Sequence, residues 1–420
     1  MKKIYYMFVL PLCMGIVLSI VGSCKNDDDP SPLTLVSAVT DGGVDLISST
    51  ATSIPVNAVV ILTFDKDIDT GSATAYSTSI KANDVNLVGD IVVEGAIVTL
   101  KTTQPLNMGT SYTVSITPEL IAMDGAPADP TEFSFASFGH LDATPPQSDQ
   151  QLSYFPFSGV MKDVKGIHSP LTQDVRNLTY AKDRFGFDGS AGEFNGSTSI
   201  VEIPSADQYM ANRSITMSVW IKASSTKDGQ FIMGLAAWKG FHTELSADWS
   251  TLRVVTQFAE SGGKSDSDDI TFSGNGLTNQ NGGWQGCIVN KEILPVGGVG
   301  ATYFKDKWVH IVYTYDRTSQ LNTLYLNGEK VVENDYGLWP TTDLKYTISG
   351  VTFAGNMTGG GNKLALGFIQ GSQNRIITDG WADPEDIFSN HFKGLMDDLR
   401  IFKVALTTAE VTTLYNSEKP

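Results

Sequence analysis

The sequence is short of positive charge and of histidine. Its 420 residues contain 29 lysines and arginines against 46 aspartates and glutamates, which gives a formal net charge of −17. A chain this acidic has no electrostatic attraction for nucleic acid or for anionic membrane surfaces, so neither is expected as a partner. The five histidines are spaced neither as metal ligands nor as a base beside a nucleophile.

The N-terminus has the features of an export signal. Two lysines precede an apolar run over 4–21, which is typical of a secretory signal rather than a membrane span. A glycine and a serine come directly before Cys24, and the acidic stretch 25–29 follows it. These residues resemble the lipobox and the export tag of surface-exposed lipoproteins of the Bacteroidetes. An ordinary signal peptide with an incidental cysteine is the alternative.

The lipoprotein resemblance implies a specific processing and location. Residues 1–23 would be the signal peptide, Cys24 would be lipidated after cleavage, and 24–32 would form a tether. Two or more acyl chains hold a protein stably at a membrane. We therefore expect an outer-membrane protein that is lipid-anchored and exposed at the cell surface.

Cysteine is scarce as well. Of the three cysteines, Cys13 would leave with the signal and Cys24 would carry lipid, which leaves Cys287 alone. No disulfide is then possible within the mature chain. Its stability must come from the burial of apolar side chains or from a bound metal ion.

The remaining composition indicates an all-β protein with two domains. The chain has 40 glycines, and its short alternating runs are not interrupted by a long helical pattern. In 33–141, Ala58–Phe64 leads into Asp65–Asp69, and Leu106–Val114 follows later. These runs resemble the bacterial Ig-like domain of surface-layer proteins, which implies a β-sandwich spacer. Residues 142–150 contain two consecutive prolines, which favours an extended, semi-rigid linker.

The second domain, 151–420, carries the stronger motifs. Ser214–Lys222 and Lys307–Asp316 alternate as strands, and Asn327-Gly328 between two alternating runs predicts a hairpin. With Phe392–Phe402, this ordered series resembles the concanavalin A-like, laminin G-type domain. The resemblance implies a jelly-roll β-sandwich with a concave face and loops above it. Apolar positions after Thr408 predict a terminal helix, capped by Thr407 or Thr408.

Catalysis is not the favoured function for this domain. Hydrolases with the same fold place three acids on one strand, where alternate side chains share a face. The nearest approach is Glu333-Asn334-Asp335, which lacks the third acid and is expected at a solvated strand end. No catalytic residue is therefore assigned.

Calcium is the cofactor that the laminin G-type resemblance implies. Asp397 occupies the position of the calcium-binding aspartate before the last strand, and a carbonyl near Gly196 would be its partner. The alternative is that Asp397 or Asp398 pairs with Arg400 or caps a turn. Ser265–Asp269 lacks the glycine and the distal glutamate of an EF-hand loop, so we expect a solvated loop there.

Tryptophans in loops are the candidate ligand-binding residues. Trp220 and Trp308 lie within alternating strands and are expected in the core. The binding candidates are Trp249, Trp284, Trp339 and Trp381. The glycine- and asparagine-rich insertion 261–300 is longer than a plain connection needs. An exposed indole can stack on a sugar ring while neighbouring Asp and Asn side chains bind hydroxyls; burial beneath a loop is the alternative.

These observations favour a surface lipoprotein that binds a polysaccharide or glycoconjugate without cleaving it. Bound glycan would then reach co-encoded transporter or hydrolase partners. One alternative is an adhesin that holds a host or neighbouring-cell protein. A glycoside hydrolase or polysaccharide lyase is a further alternative.

Overall fold

The computed structural model describes most of the chain after the N-terminal segment. The described residues are 30–47, 51–52, 54–82, 85–139, 144–224, 229–293 and 298–420. The predicted signal peptide and Cys24 lie outside these residues and stay predictions. No helix in the described ranges is long and apolar enough to span a bilayer.

The chain divides into two compact units. The first comprises the residues up to Pro105 together with Ser111–Phe135, and the second comprises Leu106–Thr110 and Ala136–Pro420. Of the predicted linker, only 144–150 is described, and its last three residues form a 3-10 turn.

The first unit is a sandwich of two four-stranded sheets, with strand orders β1-β2-β6-β5 and β4-β3-β7-β8. Its strands are β1 Leu35–Thr40, β2 Val60–Phe64, β3 Thr78–Ala82, β4 Val85–Asn86, β5 Val88–Glu94, β6 Ile97–Thr102, β7 Ser111–Ile116 and β8 Thr131–Ala136. Val60, Leu62 and Phe64 are buried while the residues between them are partly exposed. This alternation is what a half-buried strand requires, so the predicted Ig-like sandwich is confirmed.

The second unit is a larger sandwich of two nine-stranded sheets. The strands of its first sheet are β10 Val175–Arg176, β13 Ile200–Ile203, β14 Ala211–Arg213, β16 Gln230–Leu235, β17 Phe241–Leu245, β18 Leu252–Ala259, β19 Ser265–Phe272, β24 Gly350–Thr352 and β25 Leu364–Leu366. The strands of its second sheet are β9 Gln151–Phe155, β11 Thr179–Ala181, β12 Ala191–Asn195, β15 Ile215–Ala223, β20 Cys287–Asn290, β21 Val309–Asp316, β22 Leu321–Leu326, β23 Glu329–Asp335 and β26 Lys393–Phe402. The helix α1 spans Thr408–Glu418.

Local sequence signals determine where several of these strands and the helix begin or end. Asn327 and Gly328 join β22 to β23 with φ angles of 51° and 77°, the left-handed conformations that a two-residue hairpin requires. Thr407 and Glu410 form a reciprocal capping box that begins α1. The predicted hairpin and the predicted terminal helix are both confirmed.

The apolar core lies between the two sheets. It includes Phe155, Phe241 and Phe258 as well as Ile221 on β15, all fully buried. Burial of each such side chain contributes about 1.5–3 kcal/mol to folding. Cys287 is a free thiol at the edge of this core, and its burial raises the pKa of the thiol.

A buried charge network joins α1 to β26. The Arg184 guanidinium pairs with the carboxylates of Asp397 and Asp398, and all three side chains are inaccessible to solvent. Burial alone would lower the pKa of Arg184, but Asp398, Asp397 and Glu418 together raise it. The charged form of this guanidinium is therefore maintained inside the protein.

Glu418, at the end of α1, completes the network. Its carboxylate accepts a hydrogen bond from Arg400 Nε at 2.6 Å and another from Trp220 Nε1 at 2.9 Å. Its carbonyl oxygen accepts a hydrogen bond from Arg184 Nε at 2.7 Å. The imidazole of His310 stacks on Trp220, and burial lowers the pKa of His310 to about 3.

Candidate functional site

A cavity of about 500 Å³ lies in the second unit, where β19 of one sheet faces β20 and β23 of the other. We call it the Trp284 groove. Its lining residues are Asp269, Thr271, Ser273, Asn275, Leu277, Gly282, Gly283, Trp284, Cys287, Asn290, Val332 and Asn334. The predicted insertion 261–300 thus supplies most of the groove.

One part of that insertion differs from the prediction. Ser265–Asp269 was expected to be a solvated loop, but it forms the first half of β19, which pairs along its whole length with β18. Asp and Ser have little intrinsic preference for strands. The backbone ladder with β18 outweighs that preference, so the prediction of a loop is wrong.

Trp284 lines the groove and packs against Trp339, which lies behind it and is not a lining residue. Their ring centroids lie 5.4 Å apart, and each indole is half-buried against the core. Lys345 Nζ lies 4.9 Å from the centroid of each ring, in the range of a cation–π contact. The Trp284 indole is therefore held in one orientation before any ligand binds.

The charge of Lys345 is compensated by a carboxylate. Lys345 Nζ donates a hydrogen bond to Asp268 Oδ2 at 2.8 Å. Burial raises the pKa of Asp268, and the nearby Lys345 partly offsets that rise. The Lys345 ammonium therefore contacts both indoles while its charge is balanced by Asp268.

The opposite wall offers hydrogen-bonding groups. Asn290 Nδ2 donates to Asn275 Oδ1 at 2.8 Å and to the Leu277 carbonyl at 3.0 Å. Asn290 Oδ1, by contrast, has no hydrogen-bond partner among the described residues. A buried acceptor without a hydrogen-bond donor is costly, and this oxygen is out of contact with solvent. Asp269 accepts from the Thr271 hydroxyl at 2.8 Å.

Gly286 fixes the position of the Trp284 ring. A Cβ added at residue 286 would lie 2.2 Å from Trp284 Cζ3, so the indole would have to move. We expect Gly286→Ala to fold normally but to weaken ligand binding by about tenfold, as removal of the indole would. Gly42→Ala in the first unit is the matched control, because its Cβ would meet only Thr40 Oγ1 at 3.6 Å. Equal binding by both variants would contradict the role given to the indole position.

The other predicted tryptophans lie elsewhere in the second unit. Trp249 packs partly buried against the core, which is the burial alternative. Trp381 is 43% exposed in a 3-10 turn, and its ring lies 5.9 Å from that of Phe231. Neither lines the Trp284 groove. Trp220 is buried and Trp308 is half-buried.

The predicted calcium ligands are not brought together. The Asp397 carboxylate pairs with the Arg184 guanidinium, so an arginine holds the place that the resemblance gives to a metal cation. Gly196 follows β12 and lies beside Lys393, because Asn195 pairs with Lys393 in the sheet. In the described part of the chain no cluster of three or more His, Cys, Asp or Glu could hold a metal ion. These residues do not fit a calcium site.

The two acids that come closest to a catalytic pair, Glu333 and Asp335, also have structural roles. Glu333 was expected at a solvated strand end, but it is buried within β23. Its carboxylate accepts hydrogen bonds from Lys330 Nζ at 2.5 Å and from the Thr323 hydroxyl at 2.9 Å. Asp335 accepts from the Gly337 amide at 2.7 Å, as the cap of a 3-10 turn. The prediction of a solvated end is wrong for Glu333, because the hairpin continues through it.

Sequence reasoning missed several groups at the groove. Asn290 and Lys345 belong to no motif, and Asp269 was expected in a solvated loop. The packing of the two sheets brings Asp269 and Asn290 to the cavity that Trp284 lines, and Lys345 lies over the Trp284 ring. Trp238 was not among the binding candidates, although it is 39% exposed. The enrichment of the insertion in asparagine was the one usable signal.

Comparison with known proteins supports the fold of the first unit. No curated protein matches the chain significantly in sequence. Three similar solved structures are binding domains of bacterial toxins. The first is the ligand-binding domain of botulinum neurotoxin serotype D in complex with N-acetylneuraminic acid, at a TM-score of 0.40 and 11% identity, covering 64% of this chain and 51% of that chain.

The other two solved structures resemble this chain to a similar degree. The binding domain of Paraclostridial Mosquitocidal Protein 1 gives a TM-score of 0.39 and 17% identity, with 64% of this chain and 52% of that chain covered. The receptor-binding domain of botulinum neurotoxin type G gives a TM-score of 0.35 and 13% identity, with 64% of this chain and 51% of that chain covered. This chain therefore spans about half the length of these structures, and likeness of this degree does not indicate what it binds. In sequence, residues 44–137 match the family model of the bacterial Ig-like domain.

Proposed function

We propose that the second unit binds a glycan through the Trp284 groove and does not cleave it. The observation that carries the proposal is the pairing of a fixed indole with opposed amide and carboxylate groups in one cavity of about 500 Å³. Sugar rings have an apolar face that suits an aromatic ring and hydroxyls that suit Asn and Asp. The first unit would act as a spacer.

The acid content of the groove supports binding without hydrolysis. Asp269 supplies the single carboxylate among its lining residues. Glycoside hydrolysis by the usual mechanisms requires two carboxyl groups, one on each side of the scissile bond. We therefore expect no new reducing ends when the protein is incubated with a glycan that it binds.

A glycan array of plant, algal and host glycans tests the proposal. The soluble chain from Ser31 onward is expected to bind at least one glycan, and Trp284→Ala is expected to lose about tenfold or more in affinity, which is about 1.4 kcal/mol or more. Tyr76→Ala is the matched control, because Tyr76 is an aromatic residue of the first unit that is 89% exposed. An array without signal, or equal binding by both variants, would refute the proposal.

We further propose that lipid on Cys24 holds this binding unit outside the cell. The proposal rests on the signal and lipobox residues of the sequence, since acylated cysteines anchor proteins stably when two or more chains insert. Protease added to intact cells is expected to remove the wild-type protein from the surface, whereas Cys24→Ser should be released into the medium or retained unprocessed. Protection of the wild-type protein in intact cells would contradict the outward orientation.

A further inference from the structure

A second cavity adjoins the Trp284 groove. It measures about 260 Å³ and is lined by Trp238, His242, Arg253, Val255, Ser267, Asp268 and Asp269. We call it the Trp238 groove. Asp269 lines both cavities. The two cavities therefore meet at this residue of β19.

The strand register shows how the two cavities are connected. His242 on β17 pairs with Val255 on β18, and Val255 pairs with Asp269 on β19. These three residues form one row across adjacent strands, and neighbouring strands are about 4.8 Å apart. The row spans about 10 Å. His242 and Val255, 3% and 8% exposed, lie in the floor of the Trp238 groove, and Asp269 connects that floor to the Trp284 groove.

Each of the two cavities is lined by one tryptophan. Trp284 lines the larger cavity, and Trp238, 39% exposed, lines the smaller one. Phe231 is buried and lies 5.9 Å from both His242 and the 43% exposed Trp381, measured between ring centroids. Several separated rings on one face suit a ligand that presents several sugar faces in succession.

The charges along the two grooves disfavour an acidic ligand. Arg253 Nε pairs with Glu244 Oε1 at 2.7 Å, and Lys345 Nζ pairs with Asp268 Oδ2 at 2.8 Å. Both cations are thus compensated by carboxylates, while Asp269 adds a further negative charge. A uronate or sulfate group would meet no free cation among the described lining residues and would be repelled by Asp269.

We propose that the two grooves together bind the interior of a neutral glycan chain, which crosses β19, β18 and β17. The inference rests on the proposed function and adds to it the chemical class and the extent of the ligand. A chain that continues past both cavities contacts Trp284 and Trp238 simultaneously, so both indoles contribute to its affinity. A short glycan fragment contacts only one of the two indoles and therefore binds more weakly.

Affinity electrophoresis tests the charge class and the second groove. The soluble chain from Ser31 onward is run in gels containing the neutral polymers galactomannan, xyloglucan, laminarin or dextran, or the acidic polymers alginate, polygalacturonate or chondroitin sulfate. We expect retardation by at least one neutral polymer and by none of the acidic ones. Trp238→Ala and Trp284→Ala should each weaken the interaction about tenfold, and Tyr76→Ala should not.

Chain length provides the second measurement. For the polymer that retards most, a hexasaccharide should bind at least about tenfold more tightly than a disaccharide, and Trp238→Ala should abolish most of that difference. Equal affinity of the two fragments, an unaffected Trp238→Ala variant, or retardation by acidic polymers alone would overturn the inference while leaving glycan binding intact. No retardation in any gel would refute the proposed function as well.

Discussion

Replacement of Arg184 by methionine is expected to lower the free energy of unfolding of the second unit by about 3–5 kcal/mol. The Arg184 guanidinium faces two carboxylates, Asp397 and Asp398, and none of the three side chains is accessible to solvent. Methionine keeps much of the volume but removes the positive charge. Two buried carboxylates would then remain without their main compensating cation, which is far more costly than the loss of a surface pair.

Chemical denaturation of the wild type and of Arg184→Met measures this loss. Lys182→Met is the matched control, since Lys182 pairs with Asp188 and both side chains are largely exposed. The control should change stability by less than about 1 kcal/mol. If the two variants unfolded at the same denaturant concentration, the network would have no special role in stability.

Deletion of the last three residues, from Glu418 onward, is expected to destabilise the second unit by about 3 kcal/mol or more. Glu418 accepts hydrogen bonds from Arg400, Trp220 and Arg184. Without Glu418, the buried guanidinium groups of Arg184 and Arg400 each lose one hydrogen-bond acceptor. The deletion also frees the end of α1, which otherwise joins the network.

A shorter deletion isolates the contribution of Glu418. Removal of only the last two residues leaves the side-chain hydrogen bonds of Glu418 intact. It removes the hydrogen bond from the Lys419 amide to the Tyr415 carbonyl and the contact of Lys419 Nζ, 5.5 Å from the Tyr415 ring centroid. That exposed contact is worth about 0.5–1 kcal/mol, so the shorter variant should melt close to the wild type. Combining the longer deletion with Arg184→Met should give less than the sum of the two losses, because both act on one network. Additive losses would contradict this coupling.

The sequence predicted those parts of the fold that local rules determine. The alternation in Val60–Phe64 indicates a half-buried strand, Asn327-Gly328 indicates a tight hairpin, and Thr407 with Glu410 marks the start of α1. Each signal involves residues that are neighbours in the chain. Their conformations follow from backbone sterics and capping, so the sandwich and its terminal helix could be anticipated.

The charge network could not be predicted in the same way. Asp397 and Asp398 are consecutive, and in a regular strand they would point to opposite faces. A register shift between β15 and β26, with Asp398 at a φ angle of 46°, allows both to contact Arg184. The partner is more than 200 positions away in sequence. The predicted calcium role of Asp397 did not take this arginine into account.

The groove was predictable only in part. Trp284 was a candidate because glycines and asparagines surround it, and that composition indicates a loop. Its neighbours Asn290 and Asp269 come from strands of opposite sheets. Lys345 reaches the indole from yet another segment. Only the packing of the two sheets determines which polar groups meet the aromatic ring, and composition contains no information on that packing.

Titration calorimetry with the glycan that gives the strongest array signal tests the central claim most directly. Wild-type protein is predicted to bind it saturably, and Trp284→Ala and Gly286→Ala are predicted to bind about tenfold or more weakly while remaining folded. Tyr76→Ala should bind as the wild type does. Equal affinities for the wild type and Trp284→Ala would place the binding surface elsewhere and contradict the role assigned to the Trp284 groove.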